Sequence, residues 1–499
     1  MMEVEEKREH SYNHVLKYTG IFGGVQGLNI LIGLVRNKII AKLLGPTGMG
    51  LASLFNTAVN FISQTTNLGI SFSAIRHVSE LFDEGDEARI AHFVKVVRGW
   101  CLLTALFGML VCILLGPVLS DLTFSWGDHT LHFVLLSPAV AMMAITGGET
   151  AILKGARQLR SLAFIQLANV FLALLISVPL YYIFGFKGIV PVIILMAFAN
   201  MMLTVWHSYR LYPLRLGGVQ GILGEGMEMM RLGVAFVMAG VLGSGAEMFI
   251  RSYLNVQGDL GIVGLYNAGF MLTVTYAGMV FSAMETDYFP RLSAVMGDRG
   301  LMNETVNRQI EVSVLLVSPM LAMLIVGLPV IIPILFSDDF LPVVSMAQVA
   351  VFSMYLKAVS LPISYMTLAR GDSKAYLIIE TFYDLLLVAL VIIGYRLLGL
   401  YGTGLALSLS YLAETLIVYL FCHIRYGFRL SAGVVQCLAM QLPLGLSVYM
   451  LVFVNNTVVY WFMGTLICFV SLAISLYVLH QKTSLWNALK RKFLGRHEQ

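Results

Sequence analysis

The sequence predicts an all-α polytopic membrane protein with 14 transmembrane helices, arranged as two six-helix lobes related by a parallel repeat plus two extra C-terminal helices. Three observations predict this fold class: the composition, a series of long apolar segments and an internal repeat. Of the 499 residues, 58% are hydrophobic and only 12% are charged, whereas soluble globular proteins carry roughly 25% charged residues. The polar stretches are too short for a separate soluble domain.

Fourteen apolar segments are long enough to cross a bilayer as helices, since a helix needs about 20 residues to span a hydrocarbon core of about 30 Å. Strands of a membrane barrel would instead show about ten residues of alternating hydrophobicity between turns. The predicted spans cover residues 18–42, 49–72, 99–121, 131–153, 161–184, 188–209, 230–253, 264–288, 311–336, 343–368, 375–397, 402–423, 434–454 and 458–480.

The distribution of lysine and arginine predicts the orientation, because these residues are retained on the cytoplasmic side. With the N-terminus inside, 25 of the 32 basic residues lie on the cytoplasmic side, six lie on the outer side and Lys357 lies within a span. Both termini are therefore expected in the cytoplasm. The net charge of +4 is too small to suggest nucleic acid as a partner. The five cysteines form no CxxC pair, so no metal site is predicted.

An internal repeat divides the chain into similar halves. Arg36 followed by Gly50 recurs as Arg251 followed by Gly264, and the segments LKGARQ and GFKGIV recur as LARGDSK and GLYGTG at nearly the same offset along the chain. Six spans separate each pair, so both copies have the same orientation, an arrangement that transporters use. The predicted parts are an N-lobe at 1–225, a C-lobe at 226–430, and spans thirteen and fourteen with a basic tail at 431–499.

Three segments carry a resemblance to a known family: RNKIIAKLLGPTGMGLASLF at 36–55, GISFSAIRHVSE at 69–80 and GIVGLYNAG at 261–269. Over nearly its whole length the chain resembles the polysaccharide transporter branch of the multidrug, oligosaccharidyl-lipid and polysaccharide exporter superfamily, and it looks like an O-antigen translocase. The resemblance implies a bacterial inner-membrane protein that moves undecaprenyl-pyrophosphate-linked oligosaccharide. It also implies two lobes around a central, often cationic cavity, with the last two helices outside the lobes. The expected partners are this lipid-linked glycan, membrane lipids and other polysaccharide assembly proteins, without a cofactor.

Two arginines within the spans are candidate substrate ligands, since an ionisable side chain there costs roughly 2.5 to 3.5 kcal/mol and usually has a function. Arg36 and Arg251 occupy matching positions in the two repeats. A guanidinium can donate two hydrogen bonds to a phosphate, so the pair could clamp a pyrophosphate, with Lys38 attracting it. The alternatives are that both arginines reach the outer headgroups, that Glu247 neutralises Arg251 and that Lys38 is a solvated interfacial lysine. Glu149 is expected at the inner interface.

A second charged group lies in the C-lobe and is a candidate for ion coupling. Asp384 is expected about 15 Å deep, near the middle of the membrane. Its repeat-related residue in the N-lobe, Asn169, is uncharged. Such asymmetric buried carboxylates can bind a proton or sodium and tie transport to an ion gradient. An internal salt bridge is the alternative, and both roles are compatible. The group consists of Lys357, Glu380, Asp384 and Glu414.

The leading hypothesis is therefore a flippase for lipid-linked oligosaccharide and not an enzyme. A lipid II flippase would carry the same pyrophosphate on undecaprenol, so the sequence separates it poorly. A multidrug or cation antiporter of the same superfamily would usually lack the last two spans. A polysaccharide polymerase or ligase would use a large outer loop with catalytic residues, and a channel would repeat a filter-like loop.

Overall fold

The computed structural model describes residues 2–124, 127–213 and 222–482. Helices account for nearly all of these residues, and no strand occurs among them, which confirms the predicted all-α class. The helices are α1 (Met2–Thr66), α2 (Ile70–Glu84), α3 (Glu87–Leu114), α4 (Gly116–Thr123), α5 (Thr130–Gly155), α6 (Leu159–Phe184), α7 (Ile189–Leu211), α8 (Ile222–Gln257), α9 (Leu260–Phe270), α10 (Ala277–Val295), α11 (Arg299–Leu335), α12 (Val343–Ala350), α13 (Phe352–Ala369), α14 (Ser373–Tyr426), α15 (Ala432–Met450) and α16 (Thr457–Lys482).

Nine helical segments in the described part of the chain are long and apolar enough to cross a membrane. Two of them, Arg160–Leu211 and Ser373–Tyr426, are 52 and 54 residues long, and each overlaps two predicted spans. The nine segments overlap eleven predicted spans, and α1 and α8 overlap the other three. The protein is thus a multi-pass membrane protein, while the exact number of crossings stays a prediction.

Glycine breaks divide the long helices into separate membrane-length pieces. Gly45 interrupts α1 with φ 62° and ψ −172°, and Gly399 interrupts α14 with φ 60° and ψ −143°. Side chains rarely allow such positive φ values, so glycine is required at both places. Gly185, the residue that the repeat matches to Gly399, joins α6 to α7 with φ 54° and ψ −130°. Two positions matched by the sequence repeat therefore share one backbone conformation.

The chain divides into two compact units. The first contains Met1–Gly264 and Leu335–Ser337, and the second contains Leu265–Ile334 and Asp338–Gln499. In the first unit, apolar faces of α2, α3 and α5 form a continuous buried core, in which Val78, Val97 and Ile152 are fully enclosed. In the second unit, α12 and α13 pack against α14. The lobe boundaries predicted from the repeat stay a prediction.

The last two helices are joined by a buried polar link within the second unit. The Gln441 side chain on α15 donates to the carbonyl of Ser471 at 3.1 Å and to Ser475 Oγ at 2.9 Å. The hydroxyl of Ser471 donates back to Gln441 Oε1 at 2.6 Å. Hydrogen bonds of this kind between apolar helices hold neighbours together in lipid. Tyr460 on α16 donates to the carbonyl of Val326 at 2.9 Å, which attaches the pair to α11.

Candidate functional site

The structure brings the four charged residues of the predicted coupling group into one neighbourhood in the second unit. Lys357 lies on α13, and its Nζ is 6.0 Å from the centre of the Tyr411 ring on α14. Glu380 interacts electrostatically with Lys357. Glu414 interacts electrostatically with Glu380, Lys357 and Asp384. Glu380 and Glu414 therefore share the field of one ammonium group, and Asp384 lies in the field of Glu414.

The break in α14 explains how these residues meet. Asp384 precedes Gly399 by the same interval by which Glu414 follows it. Because α14 turns back at this glycine, residues at equal distances from it come to the same level, about 22 Å from the turn at about 1.5 Å per residue. Gly394 and Gly402 allow the two halves to pack backbone to backbone, since a Cβ at either would fall on the other's carbonyl oxygen.

Aromatic rings line the same neighbourhood. The rings of Tyr383 and Tyr411 are 5.2 Å apart, and they come from the two halves of α14. Lys357, Glu380 and Glu414 are all partly buried and not sealed in a core. Carboxylates near a single lysine, on partly exposed surfaces within the membrane, can hold a cation or a proton by charge attraction. The role of the group in coupling stays a prediction.

Arg251 is buried in the first unit and has defined partners. It is 5% exposed. Its Nε donates to Ser53 Oγ on α1 at 3.0 Å, and its Nη1 donates to Glu247 Oε2 at 3.1 Å. The interaction with Glu247 confirms the partner that the four-residue spacing indicates. The Glu247 side chain is 48% exposed, so the acidic partner is the one that reaches the surface.

Arg36 has different neighbours from Arg251. It lies on the first half of α1, is partly buried and interacts electrostatically with Tyr181 on α6. Lys38, two positions further along α1, is also partly buried. Arg251 instead contacts the second half of α1, after the break at Gly45. Arg36 thus lies before the break in α1, whereas Arg251 contacts α1 after it, and their joint binding of a pyrophosphate stays a prediction.

A buried ion pair in the first unit was missed by sequence reasoning. Glu149, which the sequence places at the inner interface, is 3% exposed and is therefore enclosed by protein. Arg98 Nε donates to Glu149 Oε1 at 2.9 Å, and Arg98 Nη1 donates to the carbonyl of Tyr212 at 2.9 Å. The guanidinium also lies 4.1 Å from the centre of the Tyr209 ring.

The signal for this pair was present in the pattern of α3. The helix begins at Glu87, well before the predicted span, and buried residues continue through Val94, Val97 and Cys101 on the face that carries Arg98. A cation on an apolar helix face is buried with that face, and it then needs a partner.

Among the described residues, no group of three or more histidine, cysteine, aspartate or glutamate side chains is placed to hold a metal ion.

Comparison with known proteins identifies the family. The family model described as a polysaccharide biosynthesis protein matches residues 39–345, more than half of the chain. The chain belongs to this family. The lipid III flippases of Escherichia coli (strain K12) and Shigella flexneri are each 22% identical to it over 292 residues, which cover 55% of this chain and 66% of each relative. The match thus spans just under two thirds of these relatives.

Solved structures share the fold of this family member. An inward-facing multidrug resistance MATE transporter matches with a TM-score of 0.67 and 15% identity, over 80% of this chain and 94% of the transporter. The lipid II flippase MurJ, in an inward closed conformation, matches with a TM-score of 0.66 and 16% identity, over 92% of this chain and 99% of MurJ. With the family match, these likenesses confirm the predicted resemblance at the level of family and fold.

Proposed function

We propose that this protein flips undecaprenyl-pyrophosphate-linked oligosaccharide, the repeat unit of an O-antigen or a similar surface polysaccharide, across the bacterial inner membrane. It does so by alternating access driven by an ion gradient, with both termini in the cytoplasm. The observation that carries the proposal is the match to the polysaccharide biosynthesis family over residues 39–345. The lipid III flippase relatives support a lipid-linked glycan as the cargo.

The pyrophosphate is the part of the cargo that the protein's charges recognise. Arg36, Lys38 and Arg251 supply fixed positive charge within the membrane-spanning helices. The phosphate competes with Glu247 for Arg251, because both are anions that accept from the same guanidinium donors. Since the Glu247 side chain is 48% exposed, it can turn outward when a phosphate arrives.

The charged group in the second unit couples this movement to an ion gradient. Lys357 and the carboxylates of Glu380, Asp384 and Glu414 are electrostatic neighbours. A proton or sodium ion that binds the carboxylates weakens their attraction to the ammonium of Lys357. Binding of the ion can therefore change how α13 and the two halves of α14 pack.

The test of function begins with deletion of the gene in its host. Mass spectrometry of extracted lipids should show a lipid-linked glycan that accumulates on the cytoplasmic side. Wild-type protein should clear it, and the Arg36→Ala variant should not. Arg76→Ala is the matched control, because Arg76 forms an exposed i,i+4 pair with Glu80. This variant should restore transport. Full rescue by Arg36→Ala would remove Arg36 from the site.

Coupling is tested in proteoliposomes with an imposed proton or sodium gradient. Asp384→Asn should transport labelled substrate at a rate that no longer depends on the gradient, since the amide cannot carry the ionisable charge. Asp338→Asn is the control, because Asp338 is an exposed residue in the turn after α11. Unchanged dependence in Asp384→Asn would eliminate the coupling assignment.

A lipid II flippase is the second candidate, supported by the likeness to MurJ over 92% of this chain. The same deletion experiment separates the two functions, because the mass of the accumulated glycan identifies the cargo. Accumulation of lipid II would favour the second candidate. Loss of drug tolerance without any accumulated glycan would favour an antiporter of the MATE type.

A further inference from the structure

The second half of α1, after the break at Gly45, exposes a row of amide side chains. Between residues 51 and 64, the exposed residues are Asn56, Asn60 and Gln64, and the others are buried or partly buried. These three residues recur at every fourth position, so they lie above one another on one face of the helix. Together they form the amide ladder. It rises about 12 Å, since each helical residue adds about 1.5 Å.

The amide ladder lies alongside helices that are long enough to cross a membrane. The ring of Phe55, next to the first amide, is 5.7 Å from the ring of Phe133, near the start of α5. Thr66, just beyond the last amide, lies against α3, because a Cβ atom at Gly108 would be 2.7 Å from its Oγ1. Both α3 and α5 are apolar and of membrane-spanning length. The amide ladder therefore lies at the depth of the lipid chains.

The exposed face of α3 shows the side chains that lipid favours on such a helix. Its exposed residues at the same four-residue spacing are Leu102, Leu106 and Leu110. A polar side chain that faces hydrocarbon loses its hydrogen bonds with water, so acyl chains favour an apolar face. The amide ladder has the opposite character. Its exposed face is therefore suited to a polar partner and not to acyl chains.

One end of the amide ladder lies beside Arg251. Ser53, about one turn before the first amide, accepts from Arg251 Nε at 3.0 Å. At the other end, a Cβ atom at Gly240 on α8 would be 3.8 Å from Gln64 Oε1. Ser53 and Gln64 are separated by the same interval as Gly240 and Arg251, so α1 and α8 run antiparallel along the whole ladder. A ligand that binds Arg251 can therefore extend along the amides.

The chemistry of the amide ladder matches uncharged sugars. Each amide offers N–H donors and a carbonyl acceptor without a net charge, and a hydroxyl group likewise donates and accepts. An ionised pyrophosphate only accepts, so the guanidinium of Arg251 suits it better. We propose that Asn56, Asn60 and Gln64 bind the neutral sugars of the cargo, next to a pyrophosphate at Arg251. The assignment rests on the proposed flippase function and names the part of the cargo that these residues recognise.

Chemical labelling tests whether the amide ladder faces a polar medium. The protein is placed in lipid nanodiscs, so that a charged maleimide reaches both membrane faces. Asn60→Cys should react several-fold faster than Leu106→Cys, because Leu106 is 60% exposed but lies on the apolar face of α3. The unaltered protein gives the background, since its five cysteines are buried. Equal rates for the two variants overturn the proposal.

Protection from labelling tests whether the partner is a sugar. The probes are the lipid-linked glycan purified from the deletion strain and undecaprenyl pyrophosphate without sugars. The glycan should slow the labelling of Asn60→Cys several-fold, and the sugar-free lipid should leave it unchanged. Equal slowing by both probes, or slowing by neither, overturns the assignment. If the deletion strain accumulates no lipid-linked glycan, the proposed function fails and the sugar assignment fails with it, whereas the labelling rates still show which medium the amides face.

Substitution of one amide tests the assignment in cells, with variants compared at equal abundance in the membrane. Asn60→Leu should clear the accumulated glycan several-fold more slowly than the unaltered protein, because leucine offers no hydrogen bond. Asn60→Gln keeps the amide group and should retain most of the clearance. Normal clearance by Asn60→Leu overturns the proposal.

Discussion

Removal of the Glu149 carboxylate should be one of the most destabilising single changes in the first unit. The Arg98 and Glu149 side chains are 9% and 3% exposed. In the Glu149→Ala variant, the guanidinium of Arg98 would therefore stay buried without its counter-ion. Such a loss typically costs about 3 to 5 kcal/mol. Arg98 would keep its bond to the Tyr212 carbonyl at 2.9 Å and its contact with the Tyr209 ring. We therefore expect the lower end, about 3 kcal/mol.

The free energy of unfolding can be measured by titration with sodium dodecyl sulfate in mixed micelles. Glu80→Ala is a matched control, because Arg76 and Glu80 form a pair of similar length, 2.8 Å, with side chains 69% and 53% exposed. An exposed pair of this kind contributes about 0 to 1 kcal/mol. The double variant Arg98→Met with Glu149→Leu should recover most of the loss, since it removes both charges. Equal losses for Glu149→Ala and Glu80→Ala would refute the reasoning.

Two further predictions concern local backbone and charge. Arg157 has φ 54°, and Gly371, its counterpart in the second repeat, has φ 70°. Arg157→Gly should therefore be more stable than Arg157→Ala by about 1 kcal/mol, and Gly371→Ala should lose about as much stability. Equal stability of the two Arg157 variants, measured by the same detergent titration, would contradict this. Hydrogen bonds from the side chain and backbone of Thr130 lower the pKa of Asp128. The stability that this carboxylate contributes at the start of α5 is present above the ordinary aspartate pKa, and it is lost as the pH falls through the lowered pKa. Thr130→Val should raise the pKa of Asp128 toward its ordinary value in an NMR titration, and an unchanged pKa would exclude the hydroxyl as its main cause.

The sequence predicts the helical fold well because insertion into lipid depends on local composition. Each apolar segment must satisfy its own backbone hydrogen bonds, and so it forms a helix regardless of its neighbours. The same reasoning identified Lys357, Glu380, Asp384 and Glu414, since charges within apolar segments are visible in the sequence. Their closeness follows from the turn at Gly399. The glycine in the sequence permits such a turn, but only the structure gives its φ of 60°.

The pairing of side chains on different helices could not be read in this way. Arg98 and Glu149 are 51 residues apart, and Arg251 and Ser53 are 198 residues apart. Hydropathy reports the free energy of each segment alone, whereas these contacts depend on which faces pack together. For the same reason the sequence suggested that Arg36 and Arg251 are equivalent, while the structure gives them different neighbours.

For this protein, the sequence by itself determined the membrane environment, the helical class and the family, because these follow from composition and short-range pattern. Only the tertiary structure decided which charges are neutralised and where helices touch backbone to backbone. Gly50 illustrates the difference: the repeat shows that a glycine recurs at Gly264, but only the packing shows that each lies against the other's segment. The physical reason is that the effect of a glycine on helix packing depends on the atoms that approach it, and those atoms come from a distant part of the chain.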